Sequence, residues 1–153
     1  LIRNHYVEDD DYYTNDSIHN HIKKEGDYWI HRKGSTELNN DIIVVPLSMT
    51  RGSLLVKSTY DAGNLNSCSH GAGRALSRTK TLKYWYASLK KKERRQYELD
   101  FPELLGRDGK FSKGYIQEFD FAYKNTTELM KEQYFLNPVT QTTPICTIKF
   151  SEL

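Results

Sequence analysis

The sequence predicts an α+β fold, with mixed sheets and one long, basic, amphipathic helix, as a single domain over residues 1–153. Three observations lead there. Runs of β-branched and aromatic residues, Tyr28 to Arg32, Ile42 to Val45 and Ser53 to Lys57, sit between Gly, Asn, Asp and Pro residues that punctuate strands. Leu82, Trp85, Tyr86 and Leu89 recur at helical spacing, with Lys83, Lys90, Lys91, Lys92, Arg94 and Arg95 for the solvated side. Neither an internal repeat nor a low-complexity linker divides the chain.

Residues 1–27 are polar and rich in tyrosine. Ile18 and Ile22, four apart, predict a short helix that displays His19 and Lys23 and ends at Gly26. Three strands follow, the middle one closed by Pro46. The long helix is expected from Gly73 to about Leu99. Gly106, Gly109 and Gly114 break the next region into turns, and Phe119, Phe121 and Tyr123 alternate as in a strand. A helix capped by Asn125 or Thr126, with Glu128 in its first turn, comes next. A last strand is expected over Ile145 to Phe150.

With 153 residues, 37% of them hydrophobic and 27% charged, the chain has enough apolar side chains for a core, which excludes a disordered tail. No apolar run approaches the roughly 20 residues of a membrane span. The opening residues include Asp9, Asp10 and Asp11 rather than a basic start and an apolar core, so neither membrane insertion nor a signal peptide is expected. Two cysteines, Cys68 and Cys146, make no disulfide framework, and a reducing, cytoplasmic setting is expected. The formal net charge of +2 hides an asymmetry: Glu8 to Asp16 is acidic, whereas Arg74 to Arg95 is dense in Lys and Arg. One face should be distinctly positive.

The segment with the most chemical content is Ser67-Cys68-Ser69-His70-Gly71-Ala72-Gly73-Arg74. Glycines at 71 and 73 allow a ligand close to the backbone, and a helix starting there would aim N–H groups at a phosphate. A histidine at the lip of such a cradle can take a phosphoryl group, donate a proton or hold a metal, and the segment by itself leaves the three open. Cys68 is two residues from His70, but no orienting acid is specified, so a Cys-His hydrolase is not the favoured reading. On a helix, His21 and Glu25 would share a face while His19 points elsewhere, which is not a chelate. His31-Arg32-Lys33-Gly34-Ser35-Thr36 is a strand running into a basic turn, suited to an anion or simply to solvent. Pro46 to Ser53 is a loop with hydroxyls and a glycine, and Lys124 stands between an expected strand and helix.

Taken together, these segments resemble one family, the RtcB-type RNA-splicing ligases, which are GTP- and Mn²⁺-dependent enzymes that join RNA ends. His19-Asn20, His31-Arg32-Lys33-Gly34, the Pro46 to Met49 loop, Ser69 to Arg74 with Ser77-Arg78, and Ala122-Tyr123-Lys124 look like that family's successive signatures, in order. Pro144 to Lys149 looks like its final strand, so the likeness runs from about residue 17 to the end. The resemblance implies an RtcB-like fold, of which this chain is the C-terminal portion. It also implies that His70 is the histidine that becomes guanylylated and that His19 is a manganese ligand beside the nucleotide. Asn20, Pro46, Leu47, Ser48, Met49 and Ser53 match places where the family holds the nucleotide, as do His70, Gly71, Ala72, Gly73 and Lys124.

The activity implied is ligation of an RNA 3′-phosphate or 2′,3′-cyclic phosphate end to a 5′-hydroxyl end, in tRNA splicing or RNA repair. tRNA halves are the implied substrates and an archease-like protein the implied helper. Charge adds Arg32, Lys33, Arg74 and Arg78 as expected contacts to the RNA backbone. Two departures stand out. Leu47 replaces the family's usual glycine after the proline, and the family's other metal ligands have no match here. The chain is therefore expected to be part of a longer ligase, or a truncated relative inactive alone. A noncatalytic RNA- or nucleotide-binding remnant is the rival, and a phosphohistidine enzyme a third reading.

Overall fold

The computed structural model describes residues 3–8, 11–16 and 18–144. The architecture is α+β as expected, but among the described residues every strand pairing is antiparallel and no long helix forms. The expected strand over Ile145 to Phe150, with Cys146, lies outside the described residues.

Two hairpins come first: β1 (Arg3–Glu8) with β2 (Asp11–Asp16), and β3 (Asn20–Glu25) with β4 (Tyr28–Lys33). The helix expected around Ile18 and Ile22 is thus a strand. A spacing of four is even, so it puts two side chains on one side of a strand as readily as of a helix. Gly26 supplies a hairpin turn instead of a helix end: Glu25 pairs with Tyr28, and Gly26 takes φ +60 in the two-residue connection.

β5 (Ser35–Glu37) is followed by the hairpin of β6 (Ile42–Ser48) and β7 (Gly52–Ser58). β6 runs through Pro46 rather than ending there, and its register shifts between Pro46 and Ser48. Such an irregularity accommodates a residue with no N–H to give to the ladder. β8 (Ser67–Ser69) pairs with β5, and β9 (Leu136–Gln141) completes a sheet in the order β6-β7-β9.

The expected helix from Gly73 to Leu99 is three pieces. Gly73 sits at φ +69 and Arg74 bridges to Tyr123, which keeps this stretch extended until Ser77 caps α1 (Arg78–Lys83). Tyr84–Ser88 is a wide π turn closed by Leu89 N–H to the Tyr84 carbonyl at 2.8 Å. Leu89 is then extended, and α2 (Lys91–Asp100) starts afresh with the Glu93 carboxylate accepting from Lys90 N–H at 2.9 Å. Helical spacing persists across the breaks because Leu82, Trp85, Leu89 and Tyr97, from successive pieces, all pack into or against one aromatic core.

α3 (Lys113–Ile116) follows the glycine turns and itself takes in Gly114. The expected Phe119 to Tyr123 strand is a single 3-10 turn over Asp120–Ala122. Tyr97 O–H donates to Asp120 at 2.5 Å, and the Ala122 carbonyl accepts from Ala75 and Leu76 N–H, so side-chain and loop contacts claim the groups a ladder would use. α4 (Thr126–Glu132) forms as expected, with the Asn125 side chain accepting from Thr127 N–H at 2.8 Å.

Two cores result. One packs β6 and β7 with Leu38, Cys68, Ala72, Phe135 and Leu136. The other is aromatic, with Trp85, Phe111 and Phe119 buried and Tyr97 and Phe121 against them in edge and stacked contacts.

Candidate nucleotide site

The end of β6 and the loop after β8 are tied into one cavity. Ala72 N–H donates to the Pro46 carbonyl at 3.0 Å, His70 N–H to that of Gly34 at 3.3 Å, and Lys124 N–H to that of Gly73 at 3.0 Å. Ser69 is bound from both ends: its N–H donates to Gln133 Oε1 and its Oγ to the Gly71 carbonyl, each at 2.6 Å. The cavity measures about 550 Å³, with Ser48, Met49, His70, Gly73, Glu118 and Tyr123 on its walls. A Cβ on Gly71 would lie 2.9 Å from the Pro46 carbonyl oxygen, so only glycine allows this approach. We expect Gly71→Ala to force the two loops apart, at about 1–3 kcal/mol, read as a lowered midpoint in chemical denaturation.

The β3–β4 hairpin delivers His19 and Asn20 to the same place. Gly34 N–H donates both to the His19 carbonyl at 2.8 Å and to Asn20 Oδ1 at 3.2 Å. The His19 ring then stacks on His70, centroids 4.0 Å apart and planes 15° from parallel. Burial and the neighbouring His19 hold the His70 imidazole below its ordinary value of 6.5, and its Nδ1 is buried without a hydrogen-bond partner. At neutral pH His70 is therefore an uncharged imidazole with a lone pair, a nucleophile rather than a cation.

The same shift links to stability. In the unfolded chain His70 takes up a proton below about 6.5, whereas in the folded chain it resists until a lower pH. The unfolded state then binds more protons, so stability should fall as pH drops from 6.5 through the depressed value. Denaturation across pH 7.5 to 5 should show that fall, and His70→Gln should reduce it.

Sequence reasoning has no means of finding Glu118, because nothing in its spacing ties it to His70. The Tyr123 O–H donates to the Glu118 carboxylate, and burial with that bond pushes Tyr123 up to about 12. Arg74 braces the pair: its guanidinium lies 3.4 Å from Glu118, donates to the Gln117 carbonyl at 2.7 Å and to Thr81 at 3.1 Å, and sits 5.1 Å from the centre of the Tyr123 ring.

Other expected site residues are placed unequally. Leu47 is 2% exposed and belongs to the first core, so the side chain replacing glycine is largely packed away, though the cavity reaches it. Ser48 Oγ accepts from Arg51 N–H at 3.1 Å. Ser53 sits on β7 opposite Pro46, bonds to Thr142, and does not line the cavity. Lys124 is exposed, with its aliphatic stem beside Gly73. Arg32 is a correction: it is 1% exposed, paired with Glu25 at 2.6 Å and donating to Ser67 Oγ and the Leu65 carbonyl, so it organises the β3–β4 hairpin instead of meeting RNA. Arg74 is likewise committed within the chain, whereas Lys33 and Arg78 are exposed. Cys68 is buried, with its thiol pushed up to about 11, which disqualifies it as a nucleophile.

The sequence model of the family described as "tRNA-splicing ligase RtcB" matches residues 4–150. The chain belongs to the RtcB family. RNA-splicing ligase RtcB2 of Escherichia coli strain ATCC 25922 is 43% identical over 51 residues, which cover 33% of this chain and 14% of that protein. RNA-splicing ligase RtcB of Escherichia coli strain K12 is 36% identical over 70 residues, 42% of this chain and 17% of that protein. This RtcB chain thus aligns with less than a fifth of the length of these relatives.

The Mn²⁺ implied by the family likeness does not fit the residues at hand. Among the described residues no three His, Cys, Asp or Glu side chains gather as a metal group. The His19 ring is stacked on that of His70, and a single imidazole does not hold Mn²⁺. Among the described residues, no helix of this RtcB chain is long and apolar enough to cross a membrane.

Proposed function

We propose that this chain supplies the nucleotide-accepting histidine of a GTP-dependent RNA ligase, which joins an RNA 3′-phosphate or cyclic phosphate end to a 5′-hydroxyl end. The observation that carries the reading is an uncharged, half-buried His70 at the wall of a glycine-lined cavity in a chain of the RtcB family. In this reading an imidazole nitrogen of His70 attacks the α-phosphorus of GTP. An N–P bond forms, the bond to the bridging oxygen breaks, and pyrophosphate leaves with its electron pair. GMP then passes to the RNA 3′-phosphate, and the 5′-hydroxyl of the second RNA attacks the activated end and displaces GMP. The His19 ring, stacked on His70, fixes the imidazole plane, and the cavity that His70 lines gives the phosphates room beside it. tRNA halves are the substrates we propose, in the cytoplasm, with an archease-like helper. Ligands for Mn²⁺ would come from outside the described residues.

The test is incubation with GTP labelled at the α or the γ phosphate, Mn²⁺ supplied, followed by denaturing electrophoresis. Label from the α position alone is expected on the protein. Retention of γ label would instead show phosphoryl transfer through phosphohistidine. A second reading is a noncatalytic RNA- or nucleotide-binding remnant. Salt-sensitive RNA binding with no covalent nucleotide would establish it.

A further inference from the structure

A second cavity of about 850 Å³ lies between α2 and the turn that leads into α3. Its walls carry five cationic side chains, Lys91, Arg94, Arg95, Lys110 and Lys113, against two acidic ones, Glu98 and Asp108. Both acids are engaged locally. Glu98 pairs with Arg95 at 2.8 Å, and the Asp108 carboxylate accepts from Lys110 N–H at 3.1 Å, closing its own turn. Lys91, Lys110 and Lys113 are exposed and carry no ion pair among the described residues. Tyr86, 56% exposed, stands at the same groove, while Trp85 beneath it is held in the aromatic core.

Ile116 lines the groove and Glu118 the nucleotide cavity, two residues apart along the chain. We propose that the groove seats the sugar-phosphate backbone of the RNA strand whose end is presented at His70, with Tyr86 offering a face for base stacking. Charge decides the occupant: surplus cations along an open groove, with an aromatic ring beside them, suit a polyanion that also carries planar bases. An acidic protein segment would use the charges and leave the ring idle. The proposal rests on the ligase reading only for the identity of the strand's end.

The experiment is fluorescence anisotropy of the 153-residue chain with a 20-nucleotide, 3′-phosphorylated, single-stranded RNA, titrated across KCl concentrations. Comparison is with the triple variant Lys91→Gln, Lys110→Gln, Lys113→Gln and with the control Lys24→Gln, Lys57→Gln, whose exposed lysines lie elsewhere. The triple variant should bind roughly tenfold or more weakly, with the slope of log K against log salt reduced by about 2, while the control matches the parent. Circular dichroism and an unchanged midpoint in urea denaturation keep a folding defect apart from a binding defect. An unchanged affinity and slope in the triple variant overturns the proposal. So does displacement of the RNA by polyglutamate at equal charge concentration, which would make the groove an acidic-peptide surface. Loss of the slope change overturns the groove assignment whatever the labelling shows, and absence of label from GTP bears on the ligase reading alone and leaves the groove assignment standing.

Discussion

The His70→Ala chain is expected to retain no GMP after denaturation under conditions in which the parent chain does. Every other group near the cavity is a poor substitute. The Cys68 thiol is protonated at pH 7 and buried in the core, the Tyr123 hydroxyl is held protonated up to about 12, and the Lys124 ammonium is exposed to water. His19 is close enough to be tested directly, at 4.0 Å ring to ring. His19→Ala should weaken labelling without abolishing it, because His70 would lose its stacked neighbour and not its lone pair. The fold should survive His70→Ala, since the backbone bonds of residues 69 to 73 do not use the imidazole. Label remaining on the His70→Ala chain would refute the role assigned to that residue.

Arg32→Ala is expected to be the most damaging substitution for stability, at about 3 kcal/mol, the lower end of what breaking a buried ion pair costs. The guanidinium is 1% exposed and holds together three parts of the chain: Glu25 on β3, Ser67 on β8, and the carbonyls of Leu65 and Asn66 in the intervening turn. Those two turn residues sit at φ +50 and +47, a conformation that non-glycine residues adopt at a cost. Without Arg32 the turn loses its tether and the Glu25 carboxylate its partner. Glu25 keeps some contact with water, which limits the penalty. Urea denaturation of Arg32→Ala and Arg32→Lys should show a large loss in both, because an ammonium cannot replace the fork of donors. A loss under about 1 kcal/mol in Arg32→Ala would contradict this account.

Elements of this fold are unequally legible in the residues, for physical reasons. The strands at Tyr28, Ile42 and Ser53 and the helix capped by Asn125 can be read directly, because β-branched and aromatic runs between turn residues, and a side-chain cap, are local signals. The spacing of Ile18 and Ile22 misleads because four is a multiple of two as well as about one helical turn. The long basic stretch misleads because helical spacing carries no record of a break. Only the packing of Trp85 and Leu89 into the aromatic core, and the positive φ at Gly73, divide it. The Phe119 to Tyr123 alternation fails as a strand because Asp120 and Ala122 are held by Tyr97, Ala75 and Leu76 instead of a neighbouring strand.

The sequence by itself determined the family resemblance, the choice of His70 and the glycines around it, and the concentration of positive charge after Arg74. Each of these is a matter of which residue types stand next to one another in the chain. Tertiary structure alone decided that His19 stacks on His70 from 51 residues away, that Glu118 and Tyr123 share the wall, and that Arg32 is a buried strut while Lys91, Lys110 and Lys113 line an open groove. Burial and long-range contact depend on how separate segments fold against one another, and the order of neighbours along the chain does not contain them.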